Sequence, residues 1–153
     1  MEPRLKFDVA PKAYQVLAAT QAYVDHCGLE RPLLELVKLR ASQINGCAYC
    51  LDMHSIDARA IGESEQRLYA LNAWRETPFF SDRERAALAW TEAITLVSET
   101  HVPDSAFEEM KKYFSEKEIV DLTLVATVIN MWNRIAISTR AVPGHYRDRK
   151  SVV

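Results

Sequence analysis

Glycine and proline are scarce, four and six residues in a chain of 153, which excludes the collagenous, low-complexity and linker-rich classes that depend on them. No run of lysine and arginine exceeds two residues and the formal net charge is −2. There is thus no basic field to draw in a phosphate backbone, and no nucleic-acid partner is expected. The opening stretch MEPRLKFDVAPKAYQ scatters its charges without an apolar centre, unlike a secretory signal. The most apolar segment, LTLVATVINMW at 122–132, falls short of the roughly 20 residues needed to cross a bilayer. A cytoplasmic chain with no membrane partner is the expectation. Also missing are a glycine-rich phosphate loop, a G-x-S-x-G nucleophile turn, and any repeat with a period of 20 to 50 residues.

Apolar residues make up 48% and charged residues 26% of the chain, the balance of one ordinary globular domain with a core of its own. That domain is expected to take in 1–153, with its core at about 10–142 and a loose C-terminal tail after Gly144. Strand-like alternation never lasts more than a few residues, and helical signals follow one another instead. From Ala10 to His26 the residues Val16, Leu17, Ala19, Tyr23 and Val24 recur at helical spacing, and Gly28 follows as a stop. A second helix begins near Glu30 with Pro32 in its first turn and ends at Asn45-Gly46. A third covers CAYCLDMHSIDARAI up to Gly62, and a fourth covers SEQRLYALNAW with Ser64 as its cap. Ser81-Asp82-Arg83-Glu84 and Ser115-Glu116-Lys117-Glu118 both match the S-x-x-E capping box. The helices they open run to about Glu99 and about Arg140, and Pro103-Asp104 introduces a shorter one over SAFEEMKKYF between them. The fold class is all-α: a compact single-domain helical bundle of about seven helices.

Cysteine is also scarce, at three residues, yet two of the three stand close together in NGCAYCLDMH, residues 45–54. In a reducing cytosol such a pair is expected to be catalytic or metal-binding rather than a staple. With Cys47 at a helix start, steps of about 100° per residue put Cys50 about 60° back from it and His54 about 40° beyond Cys50. All three then share one face. The free amides and the dipole at a helix N-terminus lower a thiol's pKa, which favours Cys47 as the more acidic sulfur. His54, four residues after Cys50, can take and return that thiol's proton, which favours Cys50 as the nucleophile. A redox dithiol, a metal site and a structural arrangement all remain open on these grounds. Zinc would need a fourth ligand, and with no second C-x-x-C or H-x-x-x-H only Cys27, His26, His101 or His145 could supply it. A structural arrangement is poorly suited, since two cysteines and a histidine on one stripe are an unusual core.

Glu35, eleven residues, Cys47-Ala-Tyr-Cys50, three residues, His54: this pattern resembles the active-site signature of the alkylhydroperoxidase D-like (AhpD-like) proteins within the carboxymuconolactone decarboxylase family. The segments TPFFSDRERAALAWTEAIT and LTLVATVINMWNRIAI are similar to that family's later helices, so the resemblance spans most of 30–140. It implies an all-helical fold, a homo-oligomer (trimer or hexamer), and peroxidase activity on organic hydroperoxides or hydrogen peroxide. Residue by residue, it implies that Cys50 is the peroxidatic thiol and Cys47 the resolving one, with His54 and Glu35 as a proton relay. It further implies no bound cofactor and an external dithiol electron donor, either a lipoyl group or a thioredoxin-like protein. Tyr49 stands where some members of the family carry a second histidine, so that additional imidazole is absent here.

Periodicity alone treats Glu35 differently. On the second helix Leu33, Val37, Ala41 and Ile44 form the apolar face, and Glu35 lies nearly opposite with Leu39 and Ser42, a solvent-facing position. If Gly46 folds the two helices into an antiparallel pair, a rise of about 1.5 Å per residue sets Glu35 nearer in height to His54 than to Cys50. That order suits a relay from Glu35 through His54 to Cys50. Two other functions compete: a lactone decarboxylase like the family's namesake, which gives a C-x-x-C no role, and a non-catalytic redox-sensing module. Trp74, Trp90 and Trp132 read as core or subunit contacts. His26, His101 and His145 read as solvated, Cys27 as a small core residue, and EEMKK as a solvated helix face.

Overall fold

The computed structural model describes residues 2–5 and 9–147, and among them every regular element is helical. The α-helices are α1 (Pro11–Asp25), α2 (Arg31–Asn45), α3 (Ala48–Ala60), α4 (Glu65–Ala70), α5 (Asp82–Thr95), α6 (Val97–Thr100), α7 (Asp104–Lys111) and α8 (Glu116–Thr139), with a 3-10 segment at Leu71–Glu76. The capping signals act as the sequence predicts. Ser81 with Glu84 and Ser115 with Glu118 form complete capping boxes, and the Ser64 hydroxyl caps α4. Gly46 ends α2 at φ 68°, a left-handed conformation in which any side chain would be strained.

Two expected helices are interrupted. The one opened by Ser81 stops at Thr95 and resumes as the short α6. The Thr100 hydroxyl donates to the Ala93 carbonyl at 2.7 Å, taking an acceptor that a continuing helix would offer to its own backbone. The one opened by Ser64 tightens after Ala70 into the 3-10 segment, where Ala73 leaves helical geometry.

Helix α2 is the axis of the fold, packed against α3, α5 and α8. Leu33, Leu34 and Val37 join one apolar cluster with Ala87, Leu122 and Val125, while Leu36 and Leu39 join another with Leu71, Trp74 and Leu88. Ala41 belongs to a third, with Cys47, Cys50, Ile129 and Ala136. Apolar surface on so many sides leaves α2 no solvent face in its middle. Trp74 and Trp90 are core residues, as is Cys27, whereas His26, His101 and His145 are exposed. Helix α8 has 24 residues, and its window of mean hydropathy 1.2 makes it the one described helix apolar enough to cross a membrane by length and composition. Of that window 56% is buried inside the fold.

Helix α1 departs from its pattern. Of the apolar positions that recur along it only Val24 is buried, and Val16 and Tyr23 are exposed. The helix is held largely by polar and aromatic contacts: Tyr23 donates to Asp121 at 2.9 Å, and Tyr14 stacks on Trp132 with ring centroids 6.4 Å apart. The tail expected to be loose is tied to α3 as far as it is described. The Gly144 amide donates to Asp52 at 2.8 Å, and the Tyr146 hydroxyl meets both Asp57 carboxylate oxygens at 2.9 and 3.0 Å. Residues 148–153 of that tail lie outside the described residues.

Candidate active site

Cys47 is the N-cap of α3, in extended geometry, and its sulfur accepts the Cys50 amide at 3.4 Å. A thiol therefore does the work that serine or aspartate oxygen does at other helix starts. Cys50 follows in the first turn and His54 one turn later. Cys47 and Cys50 are each 1% exposed and His54 4%, so all three are buried. Both cysteines are free thiols.

The two sulfurs ionise as a pair. The Cys50 thiol bonds to the Cys47 sulfur, and this draws the Cys47 pKa down against the opposing effect of burial. The Cys50 and Tyr49 amides and the Asn133 side chain assist, and Cys47 settles at about 7. The same contact pushes Cys50 up, reinforced by burial and by the Cys47 charge. Of the pair Cys47 is thus the more acidic, chiefly because its sulfur accepts from the Cys50 thiol. Asn133 is fully buried on α8 and is fixed by two further bonds, accepting from Asn45 at 2.8 Å and donating to the Ser42 hydroxyl at 3.0 Å.

Glu35 does not face solvent; it is 4% exposed, and its Oε2 lies 2.8 Å from His54 Nδ1. Its wheel position is overruled because α2 is packed nearly all round. The bond is direct. The other carboxylate oxygen, Oε1, accepts from Lys38 Nζ at 3.2 Å, and Lys38 also reaches Asp25 on α1 at 3.4 Å. Burial raises the Glu35 pKa, but the bond and charge of His54, and after them the charge and bond of Lys38, outweigh it and hold the carboxyl below its ordinary value. An ionised carboxylate can only accept, so Nδ1 carries a proton, and in the neutral ring Nε2 is left with its lone pair.

Cys50 and His54 line a cavity of about 680 Å³ between α1, α3 and α8. Tyr14, Tyr49, Met53, Trp132 and Ile135 contribute to its wall, and none of its described lining residues is Asp, Glu, Lys or Arg. Trp132 packs against the core, as read from the sequence, and also forms a cavity wall, held by donation from its indole nitrogen to Gln21 at 2.9 Å. The site can bring an apolar molecule against a thiol and a nitrogen base at once.

Sequence reasoning singles out neither Lys38, Asp57 nor Asn133. Lys38 had a signal, since it stands three residues after Glu35 on the same helix. The other two had none, because their partners are 88 and 89 residues away along the chain. Glu35, His54 and Asp57 also bring possible metal-ligating atoms within 4.8 Å of one another. Neither cysteine belongs to that group.

The model of the carboxymuconolactone decarboxylase family matches residues 11–93. The uncharacterized protein YdfG of Bacillus subtilis is 42% identical over 132 residues, 86% of this chain and 90% of that protein. A crystal structure from Agrobacterium tumefaciens, of a protein of unknown function described as a candidate antioxidant-defence protein AhpD, superimposes with a TM-score of 0.92. It has 42% identity and covers 95% of this chain and all of that one. A peroxidase-related protein with an alkylhydroperoxidase AhpD core from Ralstonia eutropha JMP134 shares the fold, with a TM-score of 0.78 at 19% identity over 88% of this chain and 72% of its own.

Proposed function

The chain belongs to the carboxymuconolactone decarboxylase family, and from that premise we propose that it is a thiol-dependent peroxidase that reduces organic hydroperoxides or hydrogen peroxide through the Cys47–Cys50 pair. The observation that carries this reading is the shared cavity: Cys50 and an imidazole fixed by an ionised carboxylate line the same apolar space. The AhpD-like description of the Agrobacterium structure agrees with it.

His54 takes the Cys50 proton at Nε2, and the thiolate attacks the terminal oxygen of R–O–O–H. The O–O bond breaks, the alkoxide leaves with the proton from His54 as R–OH, and Cys50 becomes a sulfenic acid, its sulfur oxidised by two electrons. The Cys47 thiolate then attacks that sulfur. A disulfide forms and hydroxide leaves, taking a solvent proton to become water. Cys50 is the nucleophile although Cys47 is the more acidic, because Cys50 lines the cavity and Cys47 does not. The ready thiolate at the helix start is the natural resolving group. An external dithiol, lipoyl or thioredoxin-like, returns the disulfide to the dithiol by exchange. A reducing compartment such as the cytoplasm suits that cycle. Exposed Val120 and Leu124, one turn apart on α8, and Val16 on α1 suit assembly with further copies of the chain.

Consumption of cumene hydroperoxide and hydrogen peroxide, followed with a panel of dithiol donors, tests the reading. Steady turnover is expected for the native chain and none for Cys50→Ser. Cys47→Ser should stop after one equivalent, with a sulfenic acid that dimedone traps at Cys50. Full activity of Cys50→Ser would overturn the assignment.

A further inference from the structure

Lys38 is 5% exposed and takes no part in the proposed peroxidase cycle. A buried lysine is costly unless it is paired, and this one meets two carboxylates, Glu35 and Asp25. What distinguishes it is the division of the Glu35 oxygens: Oε1 is held by Lys38 and Oε2 by His54 Nδ1. The protonation of Glu35 decides which imidazole tautomer is present. While Glu35 is ionised it can only accept, so Nδ1 must carry the proton and Nε2 is free to act as a base. Were Glu35 protonated, its hydroxyl could donate to Nδ1, and the neutral ring would then carry its proton on Nε2, where it could accept nothing.

Building on the peroxidase reading, we infer that Lys38 is a positioning residue: it holds Glu35 ionised and so keeps His54 in the tautomer whose Nε2 can receive the Cys50 proton. Lysine does this without touching the reacting atoms, through a charge one residue removed from the base. Its own position is fixed from α1, because Asp25 Oδ1 also accepts from Gln21 at 2.8 Å. A second, smaller pocket of about 220 Å³ lies on this side of the pair, away from the apolar cavity. The charged and titratable groups that face it are Asp25 and His26 from α1, Arg31 from α2 beside Glu35 and Lys38 themselves, and Asp57 from α3 with Tyr146 of the tail against it.

The experiment is nitrogen NMR of the reduced, histidine-labelled protein alongside peroxidase kinetics. Wild-type His54 should be the Nδ1–H tautomer when neutral, and Lys38→Arg should keep it. Lys38→Met should transfer population to the Nε2–H tautomer and lower kcat about tenfold or more, leaving KM for the hydroperoxide unchanged. It should also move the acid limb of the pH profile upward, since Glu35 without its cation stays protonated to higher pH. Lys38→Arg should restore kcat and the profile. A folded Lys38→Met with the wild-type tautomer and profile would overturn the inference. So would finding the Nε2–H tautomer in the wild type, which needs no variant to fold. A chain that consumed no hydroperoxide with any donor would remove the peroxidase reading instead, and the tautomer measurement would still decide the role of Lys38.

Discussion

Glu35 Oε2 and His54 Nδ1 meet at 2.8 Å inside the protein, joining consecutive helices that are linked only by the left-handed Gly46 and the N-cap Cys47. The return of the chain at Gly46 brings the two side chains together, and both are buried. That pair is the part of the site most open to a clean substitution.

Glu35→Gln keeps the shape and removes the charge. The amide oxygen can still accept from Nδ1, but it cannot stabilise the imidazolium that forms when His54 takes a proton. The expected outcome is a fall of about 10²-fold in kcat/KM for hydroperoxide, with the far-ultraviolet circular dichroism unchanged. Steady-state assays at saturating dithiol donor would check it.

The helices and the cysteine face were legible because their causes are local. Ser115 and Glu118 cap α8 within four residues of chain, and Cys50 and His54 share a face because one helical turn separates them. Glu35 was misplaced by periodicity for the opposite reason. Its burial comes from α1 and α3, whose Asp25, His54 and Asp57 border it, and a wheel drawn on α2 contains neither. The same holds for α1. Its apolar spacing is real, but Val16 stays exposed, because the helix borders a cavity and docks through Gln21, Tyr14 and Asp25 rather than through a continuous apolar stripe.

The Cys47 pKa of about 7 gives the reduced Cys47–Cys50 pair one thiolate above neutrality. Thiolate absorbance should rise by one group per chain with a midpoint near 7, and Cys47→Ser should abolish that step. Stability should follow. Cys47 is an acid whose folded pKa lies below its ordinary 9.0, so its contribution is full above about 9 and is lost as pH falls through about 7. Between these values denaturant unfolding of the reduced chain should show stability increasing with pH. Above about 9 the trend should reverse, because Cys50, pushed up in the fold, ionises more readily when the chain unfolds.

Asn133 touches both thiols and two other polar side chains from a fully buried position. Asn133→Leu preserves volume but strips one partner from the Asn45 amide and one from the Ser42 hydroxyl. A cost of about 1–3 kcal/mol is expected, which calorimetry would read as about 2–4 °C in Tm for each kcal/mol. The Cys47 midpoint should rise in the same variant, since the amide that stabilises its thiolate is gone. A variant with lower Tm and an unmoved thiolate midpoint would separate the packing role from the electrostatic one.

The cavity at Cys50 makes a prediction about charge as well as size. Among its described lining residues there is no Lys or Arg to meet a carboxylate, and taking an unpaired carboxylate out of water costs several kcal/mol. The methyl ester of a fatty-acid hydroperoxide should therefore be consumed with a kcat/KM about tenfold or more above that of the free acid. Hydrogen peroxide fills little of 680 Å³ and gains nothing from Trp132 or Tyr14, so it should be a poorer substrate than cumene hydroperoxide. Trp132→Ala isolates the cause: it removes apolar wall while leaving Cys50, His54 and Glu35 in place. The variant should lose rate on cumene hydroperoxide and retain most of its rate on hydrogen peroxide, whereas damage to the thiols or the relay would lower both together.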